Sequence, residues 1–197
     1  MKNLFMAVTM LFATSSFAGI LIEPQLGFKF AASADTRAHG NNVAYKYSGV
    51  DIGGRLGYQM LGVMGGLNYN MSSFTKDAAG ASISPTSASF DVDQTNIGVF
   101  VGYNLPILLR AWVAYNFTAE EKATKAVSNY SNNGDKWSGT STEIGVGFTG
   151  LPFLSLNLAY RMINYDEFYN AFSKTTTTSN SYKPNEIALS VSLPFDI

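Results

Sequence analysis

The stretch that decides the fold is Leu109-Arg110-Ala111-Trp112-Val113-Ala114-Tyr115-Asn116-Phe117. Leu109, Ala111, Val113, Tyr115 and Phe117 alternate with Arg110, Trp112, Ala114 and Asn116. A period of two is the mark of a β-strand whose two faces meet different surroundings. The stretch is also the most apolar one after the N-terminal region. The apolar run around it, Leu105 to Tyr115, is short and broken by Pro106 and Arg110, so it cannot cross a membrane as a helix, which needs about 20 apolar residues.

The same alternation recurs along the chain. On a second strand Val50, Ile52, Leu56 and Tyr58 oppose Asp51, Gly53, Arg55 and Gly57. On others Ile97, Val99, Val101 and Tyr103 oppose Asn96, Gly98, Phe100 and Gly102, and Leu154, Leu156, Leu158 and Tyr160 oppose Ser155, Asn157, Ala159 and Arg161. The pattern repeats about every 45 residues. Asp51-Ile52-Gly53, Asn96-Ile97-Gly98, Glu143-Ile144-Gly145 and Glu186-Ile187-Ala188 follow one another at spacings of 45, 47 and 43. Gly57-Tyr58, Gly102-Tyr103 and Gly147-Phe148 keep 45 throughout. Fixed-period self-similarity means one structural unit used four times.

Each unit reads as two strands, which places eight near 20–31, 45–59, 63–74, 90–103, 108–117, 138–148, 153–164 and 185–195. Three connections are tight, at 59–62, 104–107 and 149–152. Four are long and polar, at 32–44, 75–89, 118–137 and 165–184. Short turns at one end and long loops at the other are the layout of an eight-stranded antiparallel up-and-down transmembrane β-barrel, with periplasmic turns and extracellular loops.

Composition agrees. Of 197 residues, 14% are charged and 46% hydrophobic, with 14% aromatic and no cysteine. Mean hydropathy is +0.05. Soluble domains carry about 25% charged residues, and helical membrane proteins carry long apolar runs. The absence of cysteine removes disulfides, thiolate metal sites and thiol nucleophiles. A net charge of −1 supplies no basic footprint for nucleic acid.

Residues 1–18 read as a cleaved signal peptide: Lys2, an apolar run from Leu4 to Ala13, and small Ser16 and Ala18 before the cut. The mature barrel then covers 19–197, with 12 basic and 14 acidic residues and a net charge of −2.

Which face meets lipid follows from glycine. Gly27, Gly49, Gly53, Gly57, Gly66, Gly98, Gly102, Gly145 and Gly147 share the polar face, where a narrow barrel crowds its inward side chains. A water-exposed strand surface would place Lys, Glu and Thr there instead. The greasy face therefore meets lipid. Tyr58, Tyr103, Phe148 and Phe195 form an aromatic girdle by the short turns, and Tyr69, Tyr115, Phe117 and Tyr160 a second near the opposite rim.

The lumen should then hold the strand charges. Lys29, Asn70, Asn116 and Arg161 fall at one level on odd strands, and Asp51, Asn96, Glu143 and Glu186 near it on even strands. Hairpin pairing puts Lys29 opposite Asp51, and Arg161 between Glu143 and Glu186 in one buried network. Arg55 and Arg110 lie nearer the short turns, with Trp112 and Phe100 as fillers. Such a lumen reads either as a structural salt-bridge core or as a selective polar path.

Signal, eight alternating strands, three tight turns and the ending Leu193-Pro194-Phe195 make the chain resemble small bacterial outer-membrane barrels of the OmpX and OmpA-membrane-domain type. The resemblance implies a monomer in the bacterial outer membrane. It would contact membrane lipid and lipopolysaccharide, and meet the barrel-insertion machinery through the last strand. Phe195 matches the family's terminal aromatic by parity, but Asp196-Ile197 follow it.

No phosphate loop, metal-ligand cluster or cofactor motif occurs. The one histidine, His39, lies in the first loop without a poised hydroxyl or carboxylate, so no catalytic residue is assigned. Glu120-Glu121-Lys122 and Asp166-Glu167 read as solvated loop charges. Loops 118–137, with Tyr130, Asn132, Asn133, Asp135 and Trp137, and 165–184, with Phe168, Tyr169, Phe172, Thr175–Thr178 and Tyr182, mix aromatic and short polar residues suited to a surface ligand. Three roles follow in order: a surface-interaction scaffold with a plugged lumen, a small channel or carrier, and a lipid-modifying barrel enzyme using His39.

Overall fold

The computed structural model describes residues 18–33, 35–38, 41–79, 87–125, 127 and 131–197. Residues 1–17 of the expected signal peptide 1–18, and His39, lie outside the described residues. Every regular element among the described residues is a strand: β1 (Gly19–Ser33), β2 (Asp35–Ala38), β3 (Asn41–Met60), β4 (Val63–Ala79), β5 (Ser87–Leu105), β6 (Leu109–Ala123), β7 (Lys136–Leu151), β8 (Leu154–Asn170), β9 (Thr175–Tyr182), β10 (Asn185–Ser192) and β11 (Phe195–Asp196). No helix among them is long and apolar enough to cross a membrane.

Neighbours pair antiparallel from β3 through β8, β8 pairs β10, and β1 pairs both β10 and β3. The ring is therefore closed by eight strands, and closure removes the sheet edges that lipid cannot satisfy. The last strand breaks at Leu193-Pro194 and resumes as β11 beside Leu21 and Ile22. There Leu193 N–H donates to the Pro24 carbonyl at 3.0 Å, so Pro24 stands across from Leu193, one residue out of step with Pro194, at the closing seam.

Alternation sets burial throughout. Arg110, Trp112, Ala114 and Asn116 are buried, whereas Leu109, Val113, Tyr115 and Phe117 are exposed. The exposed set includes Ile52, Leu56, Leu67, Val99, Val146 and Leu158, each about half accessible. In water so continuous an apolar face would aggregate; in lipid it is the required surface. Tyr58, Tyr103, Phe148 and Phe195 lie outward near the short turns, and Tyr69, Tyr115, Phe117 and Tyr160 lie outward further up the wall. Just above Tyr69 the outer face turns polar: Ser73 donates to Asp93 at 2.6 Å, Thr75 to Asp91 at 2.9 Å and Ser89 to Asp77 at 2.5 Å. This change of chemistry marks the upper limit of the lipid band.

The tight turns hold left-handed residues at Leu61 (φ 52°), Gly62 (83°), Leu108 (61°) and Phe153 (62°). They are tied laterally: Asn104 N–H donates to the Gly62 carbonyl, and Thr149 N–H to that of Leu108, both at 2.8 Å. The third turn centres on Pro152-Phe153 rather than starting at Thr149, because β7 runs on to Leu151 past an irregularity after Phe148.

At the outer end the strands run well past the expected limits. β4 reaches Ala79 rather than Phe74, β6 reaches Ala123 rather than Phe117, and β7 begins at Lys136. The segment 165–184, expected as a loop, is mostly the β8–β9 hairpin. Its run of threonines at 175–178 suits a strand, since β-branched residues pack well on a pleated surface. Above the Ser33–Asn185 pair, β2 pairs with β3 and β9 with β8, and among the described residues β2 and β9 lie side by side without a ladder between them.

Candidate functional site

The interior is built from charged side chains that inward parity forces together. At the lower end Arg110 donates two hydrogen bonds to Glu23, each 2.7 Å, and a third to Ser155 Oγ at 2.6 Å. Ser192 Oγ donates to the other side of the pair, reaching Glu23 Oε1 at 2.5 Å. Arg55 bridges upward, 3.6 Å from Glu23 and 3.6 Å from Glu143. Its guanidinium lies over the Trp112 ring at 4.0 Å, which partners a cation whose Nε and Nη1 have no hydrogen-bond acceptor. Trp112 does more than fill space: its indole N–H donates to Glu143 at 2.9 Å.

Arg161 is the hub. It donates to Glu143 at 2.8 and 3.1 Å, to Glu186 at 3.3 Å, and stands 3.7 Å from Asp51. Lys29 reaches Glu186 at 3.3 Å and donates to Gln94, while its ammonium lies 4.1 Å from the Phe74 ring centre. Tyr47 also donates to Glu186, at 2.9 Å. Arg110, Glu23, Arg55, Glu143, Arg161, Asp51, Glu186 and Lys29 thus form one continuous ladder with four charges of each sign, all nearly inaccessible. Neutrality and multiple partners per group are what a buried ionic network needs to offset desolvation.

Each end of the ladder is closed by apolar packing. Below and beside it Leu21, Met64, Phe100 and Trp112 cluster with Ala114, Ala159 and Ala188. Above it Tyr47, Phe74, Phe90, Val92, Ile163, Tyr165 and Tyr182 form a second cluster. Within that upper cluster a further pair is buried: Lys76 donates to Glu121, and its ammonium contacts the Tyr182 hydroxyl at 2.6 Å.

The placement of the expected residues is therefore as follows. Arg161 lies between Glu143 and Glu186. Arg55 and Arg110 lie toward the turns beside Trp112. The Lys29–Asp51 pairing is corrected: Gly27 stands across from Asp51 and Lys29 across from Gly49, so Lys29 turns diagonally to Glu186 and Asp51 falls to Arg161.

Glu23, Gln94, Lys76 and Glu121 also belong to the interior. Glu23 and Gln94 share parity with Lys29 and Asn96 and were readable by that rule. Lys76 is two steps beyond Phe74 on the same face, hidden by the early strand limit. Glu121, taken for a solvated loop charge, is buried because a bulge near Phe117–Thr118 shifts parity, turning Ala119, Glu121 and Ala123 inward and Glu120 outward.

Among the described residues no group of His, Asp and Glu is arranged to hold a metal ion. Among the described residues the arrangement is one of charge compensation.

A closed antiparallel barrel with a lipid-facing apolar wall and a charged interior defines an integral outer-membrane β-barrel. Residues 4–195 match the model of the outer membrane protein beta-barrel domain, and the chain belongs to that family. It is a protein of the bacterial outer membrane. Among solved structures it is similar to OprG from Pseudomonas aeruginosa (TM-score 0.60, 12% identity, 93% of this chain and 99% of that one). It is also similar to Ail of Yersinia pestis (0.58, 9%, 90% and 99%) and to AlkL in lipid bilayers (0.53, 12%, 91% and 91%). At these identities the likeness is one of fold. No curated protein matches the chain in sequence.

Proposed function

We propose that the barrel is a closed scaffold whose role is carried by its extracellular surface, not by solute passage through its lumen. One observation supports this above the others: the neutral ladder from Arg110 to Lys29 occupies the interior, with apolar clusters packed at both ends. An eight-stranded barrel has an interior just wide enough for side chains, so such a filling leaves no room for an aqueous path. The extracellular ends, by contrast, are built up. The strands continue beyond the lipid band and the β6–β7 and β8–β9 connections are joined, as Asp135 accepts from the Asn132 and Ala171 amides at 2.8 and 2.9 Å.

Proteoliposome swelling tests the reading. Vesicles carrying the folded barrel should swell in an isotonic small sugar no faster than protein-free vesicles; rapid swelling would overturn it. The carrier reading has one observation in its favour, the unlaced seam between β2 and β9 beside the upper apolar cluster. Entry of an apolar solute without entry of the sugar would favour that reading instead.

A further inference from the structure

A groove of about 400 Å³ lies on the outer wall of the strand extension, across β6, β7, β8 and β9. Strand register arranges its lining in two rows. Lys122 pairs with Lys136, Lys136 with Tyr169, and Tyr169 with Thr176. One step nearer the membrane Glu120 pairs with Ser138 and Ser138 with Glu167. All face away from the lumen, because Glu121, Trp137 and Phe168 take the inward positions, the register having shifted between Tyr165 and Glu167.

Two features call for a ligand. The first is charge. Lys122 and Lys136 stand directly opposite each other, an arrangement that repels. Lys136 is held by Glu120 at 3.0 Å, whereas Asp93, across from Lys122 on β5, is engaged by Ser73 at 2.6 Å, and Lys122 makes no ion pair with any described residue. An anion between the two ammonium groups would relieve the repulsion. The second is chemistry: an aromatic face at Tyr169, hydroxyls at Ser138 and Thr176, and a carboxylate at Glu167 are what a ring with many hydroxyls stacks on and hydrogen-bonds to.

Position names the source. Lys122 is seven residues beyond Tyr115 of the outer girdle. At about 3.3 Å per residue and a tilt of about 40° this is roughly 18 Å above Tyr115, beyond the lipid band. A wall facing sideways at that height meets neighbouring lipopolysaccharide molecules, not the bulk solution.

We propose that this groove binds the anionic sugar core of lipopolysaccharide. A phosphate or carboxylate of the core sits between Lys122 and Lys136, a sugar ring lies against Tyr169, and sugar hydroxyls donate to Glu167. The inference rests on the surface-interaction reading but has its own readout, since it concerns the outer wall and not the lumen.

The test is calorimetric titration of the folded barrel in detergent micelles with delipidated core oligosaccharide released from lipopolysaccharide by mild acid. Saturable binding is expected. Charge reversal with Lys122→Glu and Lys136→Glu together should weaken it about tenfold or more, the scale of one lost charge-assisted contact. Lys122→Arg should preserve it. A gel-mobility shift on heating reports that each variant is folded. No saturable binding to the parent protein, or equal binding by the reversal variant, would overturn the proposal. Swelling assays on the same samples report separately on the closed-lumen reading.

Discussion

Arg161 is the residue on which the interior depends most. Three carboxylates lean on one guanidinium, and no water-exposed route exists for any of them to recover solvation. Arg161→Ala should cost about 3–5 kcal/mol, the range for stranding buried charges. Urea unfolding in lipid vesicles measures it, and a change below about 1 kcal/mol would show the network to be dispensable. Gly145 makes the opposite kind of point. A Cβ there would overlap the Trp112 indole, whose N–H is committed to Glu143. Gly145→Val should therefore destabilise by about 1–3 kcal/mol through overpacking, and Trp112→Leu should relieve part of that cost in the double variant. Additive losses in the same unfolding assay would contradict the contact.

Among the elements, the strand cores were legible in the sequence and their outer ends were not. Inside the lipid band the two faces meet opposite environments, so alternation is strict and every residue from Leu109 to Phe117 declares its side. Above the band the outer face becomes polar as well, as at Ser73, Thr75, Asp91 and Asp93, and the contrast that reveals a strand fades. That is why Lys76 and Glu121 read as loop charges although they pair inside the barrel. The bulge beyond Phe117 compounds this, since one extra residue reverses every later assignment on the strand. The connections at this end behave as a joined unit. Asp135 holds the Asn132 and Ala171 amides, and Asn170 caps its own turn by accepting from Phe172 and Ser173 at 3.0 and 2.9 Å. Asp135→Ala should speed amide hydrogen exchange at Asn132 and Ala171 several-fold while leaving the barrel's unfolding midpoint unchanged. Unaltered exchange at both amides would show that the two connections are held by other contacts.

For the whole molecule the repeat near 45 residues acquires a physical meaning. Side-chain hydrogen bonds join Gln25 to Asn70, Lys76 to Glu121, Gln59 to Asn104, Asn96 to Ser141 and Arg110 to Ser155, and each pair is 45 residues apart. Residues one repeat apart sit at equal height on strands two places round the ring. A narrow lumen brings such positions within reach of each other. The repeat thus made the depth of Arg161, Glu143 and Glu186 readable without coordinates. It could not settle which neighbour each charge would choose, because Lys29 lies diagonal to Glu186 on one neighbouring strand and to Asp51 on the other, and it takes Glu186.

The same geometry fills the barrel from wall to wall, and single-channel recording in a planar lipid bilayer tests that claim most directly. The folded protein should insert and give a flat trace at moderate voltage, with no stable conductance steps. Discrete, reproducible steps from the parent protein would contradict the closed lumen.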